Sequence, residues 1–186
     1  MPDRNRKGLK GAGRYATAAA FVAVLVAADQ LTKHVITGRI FPGEVVTAIP
    51  RLLNFTNNHN TGGAFSLFPG RPVVFTLLSA AAIVLLGYLF VKLEGRTGAS
   101  WAAAAVMGGA LGNLIDRFRL GYVIDFVDAH WGVWHWYIFN VADAAISVGA
   151  LALFVFTLAE ERSRKRAAAR AAAAPRDGGP AEKDQP

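Results

Sequence analysis

The chain has 186 residues, 53% hydrophobic and only 18% charged, with 20 Lys and Arg against 13 Asp and Glu for a net charge of +7. Soluble domains carry about 25% charged residues, so this composition argues against both a soluble enzyme and a disordered chain. Cysteine is absent, which excludes disulfides, thiolate metal sites and cysteine nucleophiles.

A membrane-crossing helix needs about 20 mostly apolar residues. The first candidate span covers residues 15–36, apolar as far as Ala28 and then interrupted by Asp29, Gln30 and Lys33. A basic approach followed by an apolar run also fits a secretory signal peptide. Three further apolar spans follow, however, and Ala27-Ala28-Asp29 is a poor cleavage site, so the segment is read as a span. Residues 37–72 form a long outer loop whose strand-like runs, 44–49 and 52–56, lie among Pro42, Pro50 and Pro69 and predict a small extracytoplasmic β-sheet. The second span, 73–91, carries no charge. The third, 99–116, is rich in Ala and Gly and ends at Asp116, with Arg117 next; Gly108 and Gly112 give it a small-xxx-small face for close packing. Residues 122–136 carry Trp131, Trp134 and Trp136, a composition that predicts an interfacial segment with His130 and His135 as boundary anchors. The fourth span, 138–158, holds one ionisable residue, Asp143.

The expected architecture is therefore an all-α membrane protein of four transmembrane helices, with a small β-sheet in the first outer loop and an interfacial segment in the second. Residues 1–14 read as a basic arm, 15–160 as the four-span domain and 161–186 as a basic tail, disordered past its first turns. Fourteen of the twenty basic residues flank one side of this arrangement: Arg4 to Arg14, Lys92 and Arg96, and Arg162 to Lys183. The positive-inside tendency then places both termini in the cytoplasm. It also accounts for the charge without a nucleic-acid partner.

A charge near the bilayer centre costs at least about 2.5–3.5 kcal/mol, so intramembrane carboxylates point to function. At about 1.5 Å per residue, Asp29 lies some 22 Å from the cytoplasmic edge and Asp143 about 8 Å below the outer surface. Asp116 closes the third span and Asp125 follows nine residues later, so four aspartates gather at one level. Asn113, Asp116 and Arg117 share a helix face at i,i+3 and i,i+4, Asn140 and Asp143 share another, and Asp29 and Lys33 are placed to form an i,i+4 ion pair. No His-Glu-x-x-His metal motif is present, and a serine hydrolase would need a histidine beside its serine. Two close carboxylates cannot both ionise easily, so one keeps a proton while the other activates water, the arrangement of an aspartic hydrolase. The same aspartates would suit a proton- or ion-coupled transporter or a non-catalytic membrane chaperone. Against that alternative, they cluster at one face, with neither broken helices nor a second homologous half.

Five stretches resemble the lipoprotein signal peptidase (signal peptidase II) family across about residues 14–160. They are Asp29-Gln30-Leu31-Thr32-Lys33, Asn60-Thr61-Gly62-Gly63-Ala64-Phe65-Ser66, the run from Gly109 through Asn113 to Asp116-Arg117, Val123-Ile124-Asp125-Phe126, and Phe139-Asn140-Val141-Ala142-Asp143. The resemblance implies a metal-independent, cofactor-free, globomycin-sensitive aspartic endopeptidase of the bacterial cell membrane. It would remove signal peptides from diacylglyceryl-modified prolipoproteins, cutting before the lipidated cysteine. Asp125 and Asp143 would be the catalytic pair. Asp29, Lys33, Asn60, Asn113, Asp116, Arg117 and Asn140 would line the site or hold substrate. The expected partners are lipid-modified prolipoprotein signal peptides and membrane lipid, with the protein a monomer and its active site toward the outer leaflet.

Overall fold

The computed structural model describes residues 3–62, 72–93 and 97–173. Gly63, Ala64, Phe65 and Ser66 of the second motif lie outside the described residues, as do Pro69, Arg96 and residues 174–186 of the tail. Four helices, α1 (Asp3–Thr37), α2 (Pro72–Lys92), α3 (Thr97–Leu120) and α4 (Val141–Ala173), are each long and apolar enough to cross a membrane. Strands β1 (Val45–Ile49), β2 (Leu53–Asn60), β3 (Val123–Trp131) and β4 (Trp134–His135) form one antiparallel sheet in that order.

α3 packs against all three other helices, and its Ala/Gly content is the reason it can. Over half of its spanning window, 56%, is buried, against 6–11% for the others. A methyl group added to Gly108 would stand 3.0 Å from Leu25, and one added to Gly112 would stand 2.5 Å from Asp29 Oδ2, so these two glycines bring α1 onto α3. Gly109 does the same for α4, facing the Ala142 carbonyl and Ile146. Arg14, at the start of the first span, ties α1 to the end of α2: its Nη2 donates to the Phe90 carbonyl at 2.5 Å and to Ser100 Oγ at 3.0 Å.

The structure adds detail to the expected elements and moves some of their bounds. The stretch expected as an interfacial segment forms β3 and β4, with β3 added to β2 in register Leu53↔Ala129 and Asn60↔Val123. Backbone pairing with β2 outweighs the aromatic composition there, and the sheet draws on both outer loops. His135 is no simple anchor: its Nδ1 lies 2.8 Å from Asp128 Oδ1, and its ring stacks on His130 at 4.8 Å. The fourth helix begins at Val141 rather than at residue 138, because Phe139 is paired with β3 through Val127 N–H to Phe139 O at 2.8 Å and Phe139 N–H to Val127 O at 3.1 Å. At its other end α4 continues to Ala173, into the stretch read as tail. α3 likewise runs on to Leu120, where Gly121 at φ 81° supplies the left-handed residue that ends it.

Candidate active site

Helix α4 starts on a reciprocal capping box. Asn140 Oδ1 accepts the Asp143 N–H at 2.8 Å, and Asp143 Oδ2 accepts the Asn140 N–H at 3.3 Å. The i,i+3 spacing therefore does more than put both residues on one face: it fixes the Asp143 carboxylate against the helix end. Asp29, from α1, reaches the same end and accepts the Ala142 N–H at 2.9 Å.

Asp125 comes from β3. A bulge in β2 between Phe55 and Asn58 lets Asn58 pair with Asp125 and Asn60 with Val123, which puts Asn60 on the face of Asp125. Asn60 Nδ2 then donates to Asp125 Oδ2 at 2.8 Å, and Asn140 Nδ2 donates to Asp125 Oδ1 at 2.7 Å. Asp125 is 2% exposed. Burial, with the charge of Asp143 added to it, pushes the Asp125 carboxyl up to about 7 against the opposing pull of the Asn60 and Asn140 hydrogen bonds. Asp125 and Asp143 face one cavity of about 350 Å³, together with Asn60, Asn113 and Arg117 and an apolar wall that includes Phe139, Ile146 and Val148.

Below the pair lies an ionic cluster. Lys33, 2% exposed, places its three donors on Asp29 Oδ2 at 2.8 Å, Asp116 Oδ2 at 2.7 Å and Asn113 Oδ1 at 3.1 Å. An ammonium has no acceptor to offer, so it turns the Asn113 carbonyl oxygen toward itself. The Asn113 amide nitrogen is thereby left to donate to Asp143 Oδ1, at 2.7 Å. Asn140 is oriented in the same manner: its oxygen caps α4, so its nitrogen faces Asn113 Oδ1 and Asp125. Both aspartates of the cavity thus meet amide donors whose direction is set one residue further back. Asp116 also accepts the Ile124 N–H at 3.2 Å, which joins the end of α3 to β3 at the residue immediately before Asp125.

All nine residues singled out from the sequence fall in this region. Asp29, Lys33 and Asp116 form the buried base, Asn113, Asn140 and Asn60 the middle layer, and Asp125 and Asp143 the cavity face. Arg117 stands at the side, its Nη2 donating to the Gly62 carbonyl at 3.2 Å. The sequence reading missed Gln30, whose Nε2 donates to Asp116 Oδ1 at 2.9 Å and to the Gly112 carbonyl at 3.2 Å. Its position on the α1 stripe three residues before Lys33 was the available signal. Of the aromatic segment, Trp136 and Tyr137 line the cavity. Among the described residues, no group of three or more His, Cys, Asp or Glu is arranged to hold a metal ion.

The fold and this site define a polytopic helical membrane protein with paired carboxylates at one end of its bundle. Residues 21–159 match the family model described as signal peptidase (SPase) II. The lipoprotein signal peptidase of Janthinobacterium sp. (strain Marseille) is 42% identical over 138 residues, 72% of this chain and 82% of that protein. That of Listeria monocytogenes serotype 4a (strain HCC23) is 37% identical over 142 residues, 76% and 92% of the two chains. A solved bacterial membrane enzyme, determined by the in meso method at 2.3 Å, superposes with TM-score 0.73 at 30% identity over 81% of this chain and 92% of its own. A second, at 1.9 Å, gives TM-score 0.69 at 30% identity over 77% and 93%. The chain belongs to the signal peptidase II family, a family of membrane proteases.

Proposed function

We propose that this protein removes the signal peptide from lipid-modified bacterial prolipoproteins by an aspartic mechanism, cutting before the lipidated cysteine. The observation that carries the proposal is the pairing of Asp125 and Asp143 on one cavity, each held by amide donors and each within the other's electrostatic reach. The names of the relatives, lipoprotein signal peptidases, support the substrate class.

The pair shares one proton and titrates as a unit. The ionised carboxylate takes a proton from water as its oxygen attacks the scissile carbonyl carbon. The protonated partner meanwhile donates a hydrogen bond to the carbonyl oxygen and stabilises the charge that develops there. As the C–N bond breaks, a dyad proton passes to the leaving amine of the cysteine. Asn113, Asn140 and Asn60 hold the two carboxyl groups in place, and Arg117 is available to a peptide carbonyl. Asp29, Lys33 and Asp116 act further back, on the asparagines and on the start of α4, rather than on substrate.

Location fits the same reading. With both termini cytoplasmic, the dyad faces the outer leaflet, where a translocated precursor presents its lipidated cysteine, and the apolar wall of the cavity opens toward lipid. The protein acts as a monomer and needs no cofactor. The test is purified full-length protein in detergent with a diacylglyceryl-modified signal-peptide substrate and its unmodified counterpart. Mass spectrometry should show one cut, immediately before the cysteine, in the lipidated substrate alone. Equal cleavage of both, or a cut elsewhere, contradicts the proposal.

A further inference from the structure

On the seam between α1 and α3 the structure carries a second hollow that the proposed reaction does not use. α1 and α2 both lean on α3 but make few contacts with each other, which leaves room along the seam. A cavity of about 590 Å³ runs along it, floored by Met107, Leu111 and Ile115 and edged by Ala19, Ala23 and Ala27. Both rows follow helical spacing, and the alanines are what leaves the room. Gln30 closes this hollow and also lines the next one, of about 230 Å³, which has His34, Thr37, Arg119 and Tyr122 in its wall. The two rows thus continue, by two turns from Ala27 to His34 and by one from Ile115 to Arg119, and change from apolar to polar as they do.

The result has the shape and chemistry of an amphiphile. From Ala19 to Gln30 is eleven residues, about 16 Å at 1.5 Å each, close to the roughly 15 Å depth of one leaflet's hydrocarbon. At the polar end, Lys33 and Asp116 also line the wall, but they are spent on each other at 2.7 Å, and Asp116 Oδ1 already holds Gln30. The exposed Arg119 makes one long contact, 3.4 Å, to Gln30 Oε1. No hydrogen bond to the exposed His34 ring or the Tyr122 hydroxyl is seen among the described residues; the Tyr122 ring stacks on His59 at 4.0 Å. Among the described residues, the mouth therefore offers donors and the Arg119 guanidinium, held only by its long contact to Gln30. Basic pockets between membrane helices are suited to phosphate headgroups, and a guanidinium is the side chain best matched to phosphate oxygens.

We propose that this seam seats one glycerophospholipid of the bilayer, an acyl chain on the Ala19–Ala27 and Met107–Ile115 rows and its phosphate at Arg119. The seat is separate from the candidate active-site cavity, which lies between α3 and α4, and the proposal does not depend on the protein being a peptidase. Bound there, the lipid braces α1 against α3 at the level of the Lys33 cluster.

The full-length protein, delipidated in detergent, is titrated with phosphatidylglycerol, with diacylglycerol of the same acyl chains, and with inorganic phosphate, and its thermal midpoint is followed. Phosphatidylglycerol should raise the midpoint saturably, diacylglycerol at least tenfold less effectively, and phosphate alone not at all. Arg119→Ala, at an exposed position, should weaken the phosphatidylglycerol response at least tenfold, and Ala23→Phe, which fills the stem, should remove it. Asp143→Asn, in the other cavity, should retain it. The proposal is overturned by an absent response in the parent protein, by an undiminished response in Arg119→Ala, by equal effects of the two lipids or of phosphate alone, or by loss in Asp143→Asn. Should Ala23→Phe fail to fold, the Arg119→Ala titration and the lipid comparison decide the matter.

Discussion

Replacing Asp125 by Asn separates the role of this residue in folding from its role in chemistry. The folded carboxyl ionises near 7 and an ordinary aspartyl group near 3.8, so between those values the folded chain holds a proton that the unfolded chain has lost. Stability contributed by the neutral, buried carboxyl is therefore lost as pH rises through about 7, and the full cost of burying the charge is present above it. Between pH 5 and pH 8.5 two of those pH units are crossed, which at about 1.4 kcal/mol each comes to about 3 kcal/mol. Asn carries no ionisable group and escapes that cost. It does turn an amide donor toward Asn60 or Asn140, a penalty of about 1–3 kcal/mol that is the same at both pH values and cancels in the comparison. At about 2–4 °C per kcal/mol, the thermal midpoint of Asp125→Asn relative to the parent protein should be higher at pH 8.5 than at pH 5 by about 6–12 °C. Differential scanning fluorimetry on both proteins in the same detergent reads this directly. An offset that is equal at the two pH values refutes the claim that a buried, charge-coupled Asp125 stands in the cavity.

Gly112→Ala should lower stability by about 1–3 kcal/mol despite the better helix propensity of Ala, because the new methyl would sit 2.5 Å from Asp29 Oδ2, which Lys33 holds in place; a thermal midpoint at or above that of the parent would contradict the packing described. Chelation with EDTA should leave substrate cleavage unchanged, and activity lost to EDTA and restored by one metal would remove the aspartic mechanism. For orientation, single cysteines at Thr47, Thr97 and Ser163 can be introduced into a chain that has none of its own. An impermeant thiol reagent on intact spheroplasts should label Thr47→Cys and spare the other two, whereas labelling at 163 but not 47 would place the dyad on the cytoplasmic side.

Much of the site was legible because helical spacing is geometric. Asp29 and Lys33 had to meet if the segment was a helix, and Asn113, Asp116 and Arg117 had to share a face. Gly108 and Gly112 announced a close helix contact, though not that the partner would be α1 at Leu25 and Asp29. What the sequence concealed depends on pairing between distant segments. Nothing local shows that β2 bulges after Phe55, and without that bulge Asn60 would point away from Asp125. The same holds for Phe139, which reads as the first turn of an apolar helix until β3 claims its backbone. Trp131 to Trp136 suggested an interface by composition, whereas the stretch folds as the turn of β3 into β4, Trp131 paired with Trp134, on a β3 that is itself held by β2 partners 63 to 76 residues away in sequence. The direction of the asparagine amides was hidden too, since it is dictated by Lys33 and by the cap of α4 rather than by the asparagines themselves.

The central claim, that Asp125 and Asp143 together perform the hydrolysis, is tested most directly by the turnover of Asp125→Asn and Asp143→Asn on a diacylglyceryl-modified signal-peptide substrate, with folding of each variant checked by its thermal midpoint. An amide keeps the shape of the carboxyl group but can neither accept the proton of water nor return one. Both variants should be folded and should lose at least about 10²–10⁴-fold in turnover, the range set by removing a positioned acid or base. Near-parental turnover in either folded variant would take that residue out of the chemistry and contradict the account.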